Sequence, residues 1–104
     1  RKDIAEANPW LPARLFTAFA KAKALALNDL TQTNVLRVAL PWAASWYKDA
    51  RTVMGDNIWP YGFRENRDEL AAMTRYSHED GLAARALDPA ELFHPSTLEL
   101  ADKA

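Results

Sequence analysis

The sequence contains no cysteine, and this absence excludes disulfides, thiolate metal sites and a cysteine nucleophile together. It also lacks a surplus of positive charge, because 13 Lys and Arg residues are matched by 14 Asp and Glu residues. Without a basic excess to neutralise phosphates, no nucleic-acid partner is expected. Apolar runs such as residues 38–46 are much shorter than the roughly 20 residues of a membrane span, so we expect a soluble chain.

Residues that favour β-strands are scarce. The chain has only 3 Val and 2 Ile, against 20 Ala and 13 Leu. Ala and straight-chain residues keep most of their freedom in a helix, whereas strands favour β-branched residues. The composition therefore predicts an all-α fold, and the length predicts a single helical segment or domain over residues 1–104.

Capping residues and apolar spacing predict three main helices and a short fourth one. The main helices are expected at residues 9–28, 41–54 and 65–80. Residues 1–7 are interpreted as a charged lead-in. The fourth helix would begin after Asp88, carry a capping-box acid at Glu91 and end at Pro95. The apolar run at residues 35–40 fits a short strand as well as a helix.

The apolar spacing also predicts which helix faces are buried. Asn8 is expected to cap the first main helix, whose inner face would carry Leu15 and Phe19. Trp42 and Trp46 are one turn apart, so they are expected to pack together on the buried face of the second helix. Eight large aromatic rings, four Trp and four Phe, are more than so short a chain is expected to cover.

No metal-ligand motif or glycine-rich phosphate loop is present, so we predict neither a metal nor a cofactor. The most specific local feature is the aromatic loop, residues 56–63. Its rings Trp59 and Tyr61 can form the wall of a ligand pocket, although packing in a core or an interface is the favoured alternative. A guanidinium such as that of Arg67 can clamp a carboxylate, and its place on the Phe63 to Leu70 side of the third helix suggests a buried partner or a domain contact. His78 could act as a base, or it could simply complement the end of a helix.

Six short motifs, read together, resemble the C-terminal part of the 4,5-dihydroxyphthalate decarboxylase-like proteins. Their order and spacing match that family across nearly the whole chain. The motifs are Asn-Pro-Trp-Leu-Pro at 8–12, Leu-Pro-Trp at 40–42, Met-Gly-Asp-Asn-Ile-Trp-Pro-Tyr-Gly at 54–62, Asn-Arg at 66–67, Arg-Tyr-Ser-His-Glu-Asp-Gly-Leu at 75–82 and Glu-Leu-Phe at 91–93.

This resemblance implies a longer parent with a bilobed, type-2 periplasmic-binding-like α/β fold, of which this chain would hold C-terminal helices. It implies an enzyme that removes one carboxylate from a dihydroxylated aromatic diacid. Such chemistry needs a cation for the retained carboxylate, a base near the ring hydroxyl and an acid for the carbon that loses carbon dioxide. Arg67, His78 and Tyr61 have suitable side chains, although the catalytic residues stay unassigned.

Three functions follow as expectations. The first is a portion of a decarboxylase-like enzyme, inactive in isolation and cytoplasmic in its parent. The second is the same portion of a periplasmic solute-binding protein, which would bind an aromatic carboxylate without chemistry. The third is a free-standing helical interaction module. The partner would be the rest of the parent chain or a second copy, with Trp42, Trp46 or Trp59 at the contact of a two-fold dimer.

Overall fold

The computed structural model describes residues 1–32 and 38–102, and within these ranges it contains helices but no β-strand. The α-helices are α1 (Lys2–Ala7), α2 (Leu11–Thr31), α3 (Ala43–Met54) and α4 (Arg67–Glu79), and two 3-10 helices follow at Pro89–Leu92 and Pro95–Thr97. The all-α prediction is confirmed. The run at 35–40 lies for its first three residues outside the described residues, and its last three residues adopt neither helix nor strand.

The three predicted main helices exist, but the ends of the chain differ from the prediction. The interpretation of residues 1–7 as a lead-in was wrong, because α1 occupies them. Asn8 ends α1 instead of capping α2: its side-chain amide donates to the carbonyl oxygen of Ile4 at 3.2 Å. The predicted capping box at Asp88 and Glu91 is confirmed, but it opens a 3-10 helix. That helix ends at Leu92, before the predicted end at Pro95, and Pro95 begins a second 3-10 helix.

The inner face of α2 is rotated by one residue from the predicted face. Leu15 and Phe19 are largely exposed. The half-buried stripe that faces the rest of the molecule consists of Phe16, Ala20, Lys23 and Leu27. These positions recur at spacings of three and four, so they share one helix face. The physical reason for the rotation is Lys23, whose charge is satisfied on the inner side of α2 by partners described below.

The predicted packing of Trp42 against Trp46 on a buried face of α3 was wrong. Trp42 precedes α3 in a left-handed conformation with φ 66°, and its side chain is 74% exposed. Trp46 is 60% exposed. The side chain that α3 places toward α2 is Tyr47, which is half-buried beside Leu27.

The described residues contain no fully buried hydrophobic side chain. Thr74, at 6% exposure, is the one residue among them that is buried when backbone and side chain are taken together. The radius of gyration is 17.2 Å, whereas a compact domain of about 100 residues has about 13 Å. The helices therefore form an open arrangement, in which apolar faces remain accessible to another surface.

Candidate ligand-binding groove

An apolar groove lies between α2, the aromatic loop, α4 and the segment around Phe93. Its volume is about 670 Å³. The lining residues are Phe16, Phe19, Trp59, Pro60, Tyr61, Gly62, Phe63, Asn66, Glu69, Leu70, Met73, Phe93 and Thr97. Glu69 is the one carboxylate among them, and no Lys, Arg or His of the described residues lines the groove. The groove thus offers aromatic walls without a cation of its own.

The side chain of Asn66 stabilises the shape of the aromatic loop by hydrogen bonds to the loop backbone. The side-chain amide of Asn66 donates to the carbonyl oxygens of Pro60 and Gly62, both at 2.8 Å. At the end of the loop, the ring of Phe63 meets that of Phe93 edge to face, with centroids 5.4 Å apart. Such pairs contribute about 0.5–1.5 kcal/mol beyond the area they bury. The loop is therefore anchored to the start of α4 and to the segment after the first 3-10 helix.

Gly62 is required where the aromatic loop meets the C-terminal segment. It has φ 138° and pairs with Ala101 in an isolated antiparallel bridge. A Cβ atom at this position would lie 2.8 Å from the carbonyl oxygen of Leu100 and would also meet the Glu65 carboxylate. Only glycine permits both this backbone conformation and this close approach.

A buried ion pair lies behind the groove wall. The ammonium of Lys23 contacts the carboxylate of Asp102, and their side chains are 9% and 4% exposed. The same Nζ donates to Asn57 Oδ1 at 2.5 Å and to the carbonyl oxygen of Trp59 at 2.6 Å. It also lies 4.9 Å from the centroid of the Tyr61 ring, within cation–π range. The three donors of the ammonium are thereby all used.

The carboxylate oxygens of Asp102 also have hydrogen-bond donors. Its Oδ1 accepts from the Asn57 side chain at 3.1 Å and from the Tyr61 backbone N–H at 2.9 Å. Burial acts to raise the pKa of Asp102, but the hydrogen bonds from Lys23, Asn57 and Tyr61 outweigh it and lower the pKa below the ordinary 3.8. The carboxylate is therefore ionised at neutral pH and balances the ammonium.

The sequence did not point to Lys23, Asn57 or Asp102. One signal was available for Lys23, because it interrupts the apolar stripe that runs from Phe16 to Leu27 on α2. A charge in such a stripe requires a buried partner. Asn57 and Asp102 lie in irregular segments, where no periodicity marks a residue as facing inward.

The structure places two of the four predicted site residues in the groove. Trp59 and Tyr61 line the same wall. Arg67 is exposed at the first position of α4, directly after the groove-lining Asn66, and does not itself line the groove. His78 is exposed about 16 Å further along α4 and its Nδ1 lies 3.2 Å from the carbonyl oxygen of Ala83. His78 is therefore separated from Arg67 along α4, and it does not line the groove that contains Trp59 and Tyr61.

Two further properties bear on the kind of site. Across residues 1–32 and 38–102, no three His, Asp or Glu side chains are grouped in a way that could hold a metal ion. None of the helices in these ranges combines the length and the apolar character needed to cross a membrane.

These features define the chain as an all-α segment with an aromatic groove. One wall of the groove is a loop that polar contacts hold in place. No protein-family model matches it. The chain is 44% identical over 99 residues to a curated 4,5-dihydroxyphthalate decarboxylase from Comamonas testosteroni. The similarity covers 95% of this chain and 30% of that relative, so the chain spans less than a third of the relative's length. The resemblance predicted from the six motifs is confirmed.

Proposed function

We propose that this chain is a helical portion of a decarboxylase-like protein that acts on an aromatic diacid, and that it has no decarboxylase activity alone. The observation that carries the proposal is the 44% identity over 95% of the chain to a protein named as such a decarboxylase. The groove supports the same substrate class, because flat aromatic walls suit a planar ring. Trp59 and Tyr61 are the candidate ring contacts.

The inactivity of the isolated chain follows from the missing charges. An aromatic diacid needs a cation for the carboxylate that is retained, and the described groove residues offer the carboxylate of Glu69 instead. Arg67 is the candidate cation because it follows groove-lining Asn66 at the start of α4. His78 does not line the groove in which Trp59 lies. The remaining catalytic groups would come from the rest of the parent.

The exposed area supports a covering partner. The chain exposes 8207 Å². From the scaling of surface with mass, a folded monomer of 11.7 kDa would expose about 5,900 Å². The excess of about 2,300 Å² is larger than the roughly 800 Å² that each partner contributes to a standard interface. Contact with the rest of the parent accounts for such a large excess, and a second copy of the chain is the alternative occupant.

The experiment compares the full-length parent with the isolated chain, using 4,5-dihydroxyphthalate and release of carbon dioxide as the readout. We expect turnover by the parent and none by the 104-residue chain. Binding of the diacid by the parent without carbon dioxide release would instead support the solute-binding function. Turnover by the isolated chain would contradict the proposed division of the site.

Arg67 has its own test in the parent. Arg67→Ala removes a charge-assisted hydrogen bond, so we expect KM to rise by roughly 10- to 100-fold. Arg75→Ala is the matched control, because Arg75 lies on the same helix and pairs only loosely with Glu79 at 3.8 Å. An equal effect of the two variants would remove Arg67 from the proposed site.

A further inference from the structure

We propose that Lys23, Asn57 and Asp102 form a latch that holds the aromatic loop against α2, and that the closed latch forms the Trp59–Tyr61 wall of the groove. Lys23 and Asp102 are thus positioning residues, because they act on the groove through the loop and do not line it. This inference does not depend on the reaction that the parent catalyses.

The latch joins three segments that are distant in sequence. Lys23 lies on α2. Asn57, in the aromatic loop, is 34 residues after Lys23, and Asp102, in the C-terminal segment, is 79 residues after Lys23. Each of these residues contacts both of the others through a hydrogen bond or an ion pair. Loss of any one side chain therefore removes one hydrogen-bond partner from each of the other two.

The latch also fixes the backbone of the groove wall. Lys23 holds the carbonyl oxygen of Trp59, while Asp102 Oδ1 holds the N–H of Tyr61. The backbone N–H of Asp102 in turn donates to the carbonyl oxygen of Tyr61 at 3.1 Å. Both groove-lining rings are therefore attached to backbone positions that the latch fixes on the side opposite the groove.

Apolar packing does not replace the latch. Trp59 is 71% exposed, and none of the hydrophobic residues that the structure describes is fully buried. Ordinarily a loop is kept in place by side chains in a core. Here Asn66 and the Phe63–Phe93 pair hold the end of the loop, whereas the polar contacts of Lys23 and Asp102 hold its backbone at Trp59 and Tyr61. The wall that these two residues form should therefore move when the contacts of Lys23 and Asp102 are broken.

The first test measures amine reactivity along α2. Limited acetylation of the 104-residue chain, read by mass spectrometry, compares Lys23 with Lys21, which is exposed on the same helix. If the latch is open for less than a tenth of the time, Lys23 should be acetylated at least about tenfold more slowly than Lys21. Equal reactivity of Lys23 and Lys21 would overturn the proposal without any variant.

The second test measures amide hydrogen exchange in Asp102→Asn and in a matched control. Glu99→Gln is the control, because Glu99 lies in the same segment and pairs with Arg64 in an exposed position. We expect the backbone amides of residues 61 and 102 to exchange about tenfold faster in Asp102→Asn and at an unchanged rate in Glu99→Gln. Amides within α4 should change much less than those of the loop.

The pattern of exchange separates a latch from a general structural role. If α4 and the loop lose protection together in Asp102→Asn, or if the Tyr61 amide keeps its protection, the latch is refuted. A further variant combines Lys23→Met with Asp102→Asn and leaves no buried charge unpaired. We expect its α4 amides to stay protected, as in Asp102→Asn, while the Tyr61 amide stays fast, since Lys23 no longer holds the Trp59 carbonyl. Recovery of protection at Tyr61 would contradict the role of Lys23.

Discussion

The region around Lys23 and the region around α3 differ in which side chains they bury and which they leave in contact with water. Around Lys23, the chain buries two charges and satisfies each of them, and these contacts connect segments far apart in sequence. Along α3, the exposed side chains include Trp42, Trp46 and Val53, which is 86% exposed. The polar contact that ends α3 is between Arg51 and Asp56, and both are exposed.

This difference indicates what each region contributes. Saturated hydrogen bonds fix a single geometry, so the Lys23 region specifies the shape of the groove. Large apolar side chains in water gain free energy when they are covered, so α3 is suited to contact with another surface. The Lys23 region makes its contacts within the described residues, whereas α3 leaves large apolar side chains exposed.

The largest expected effect is on the Lys23 region. Lys23→Met leaves the carboxylate of Asp102 buried without its cation, and breaking a buried pair in this way costs about 3–5 kcal/mol of unfolding free energy. Lys21→Met, an exposed change on the same helix, should stay within about 0.5 kcal/mol. Urea unfolding followed by circular dichroism compares the two. Similar midpoints would show that the buried pair does not stabilise the fold.

The glycines of the two regions provide the next comparison. Gly62→Ala introduces a Cβ that meets Leu100 and Glu65, so we expect a loss of about 2–3 kcal/mol. Gly55→Ala, after α3, has φ 79° but nothing within 4 Å of the added atom, so a loss of only about 1 kcal/mol is expected. Thermal unfolding of both variants tests the order. If Gly55→Ala were the more destabilising, the close approach at Gly62 would be unimportant.

The local features of the fold were predictable from the sequence, and the face of α2 was not. The capping box at Asp88 and Glu91 and the glycine after α3 depend on neighbouring residues, so short patterns predict them. The inner face of α2 depends on Lys23, whose partners lie 34 and 79 residues away. Apolar spacing along one helix contains no information about those partners.

The candidate site divides in the same way. Trp59 and Tyr61 stood out because a run of aromatic residues with Pro60 and Gly62 is rare and local. Their support from Asn57 and Asp102 could not be predicted, because isolated polar residues in irregular segments carry no pattern. The predictions for Arg67 and His78 rested on chemical suitability, and the structure separates these two residues along α4.

A smaller effect is expected on the α3 side, where self-association is the property to measure. Trp46→Ala removes an exposed ring, so the free energy of unfolding of the monomer should change by less than about 0.5 kcal/mol. If α3 forms the contact of a two-fold dimer, the same change should weaken the dimer by about tenfold in Kd or more. Sedimentation velocity on the 104-residue chain measures this, with Trp42→Ala and Trp59→Ala alongside. A monomer at high micromolar concentration would contradict the dimer.

The smallest expected effect is the pH dependence of the Lys23 region. The pKa of Asp102 is lowered from 3.8 in the folded chain, so the unfolded chain binds its proton first as the pH falls. The contribution of Asp102 is therefore complete above about pH 5 and is lost as the pH falls below 3.8 through the folded pKa. Unfolding free energies measured between neutral and acid pH should show this loss.

Glu91 provides the control for that measurement. The side chain of Arg85 and the backbone N–H of Asp88 lower the pKa of Glu91 from 4.5 to about 2, so its exposed pair is lost over that range. Asp102→Asn should remove the part of the acid dependence that belongs to the buried pair, and Glu91→Gln should remove the part that belongs to the Arg85–Glu91 pair. An unchanged pH profile in Asp102→Asn would contradict the assignment.

The distance along the chain between Lys23 and Asp102 has a consequence for protein synthesis. Closing the loop over 79 residues rather than 34 costs only about 0.8 kcal/mol more in chain entropy, so equilibrium hardly opposes it. Synthesis delays the contact, because the roughly 45 residues between Asn57 and Asp102 take about 2 to 9 s to translate. During that interval Lys23 can engage Asn57 but has no carboxylate partner. The groove therefore cannot be completed before Asp102 has left the ribosome, and its aromatic loop stays accessible to chaperones until then.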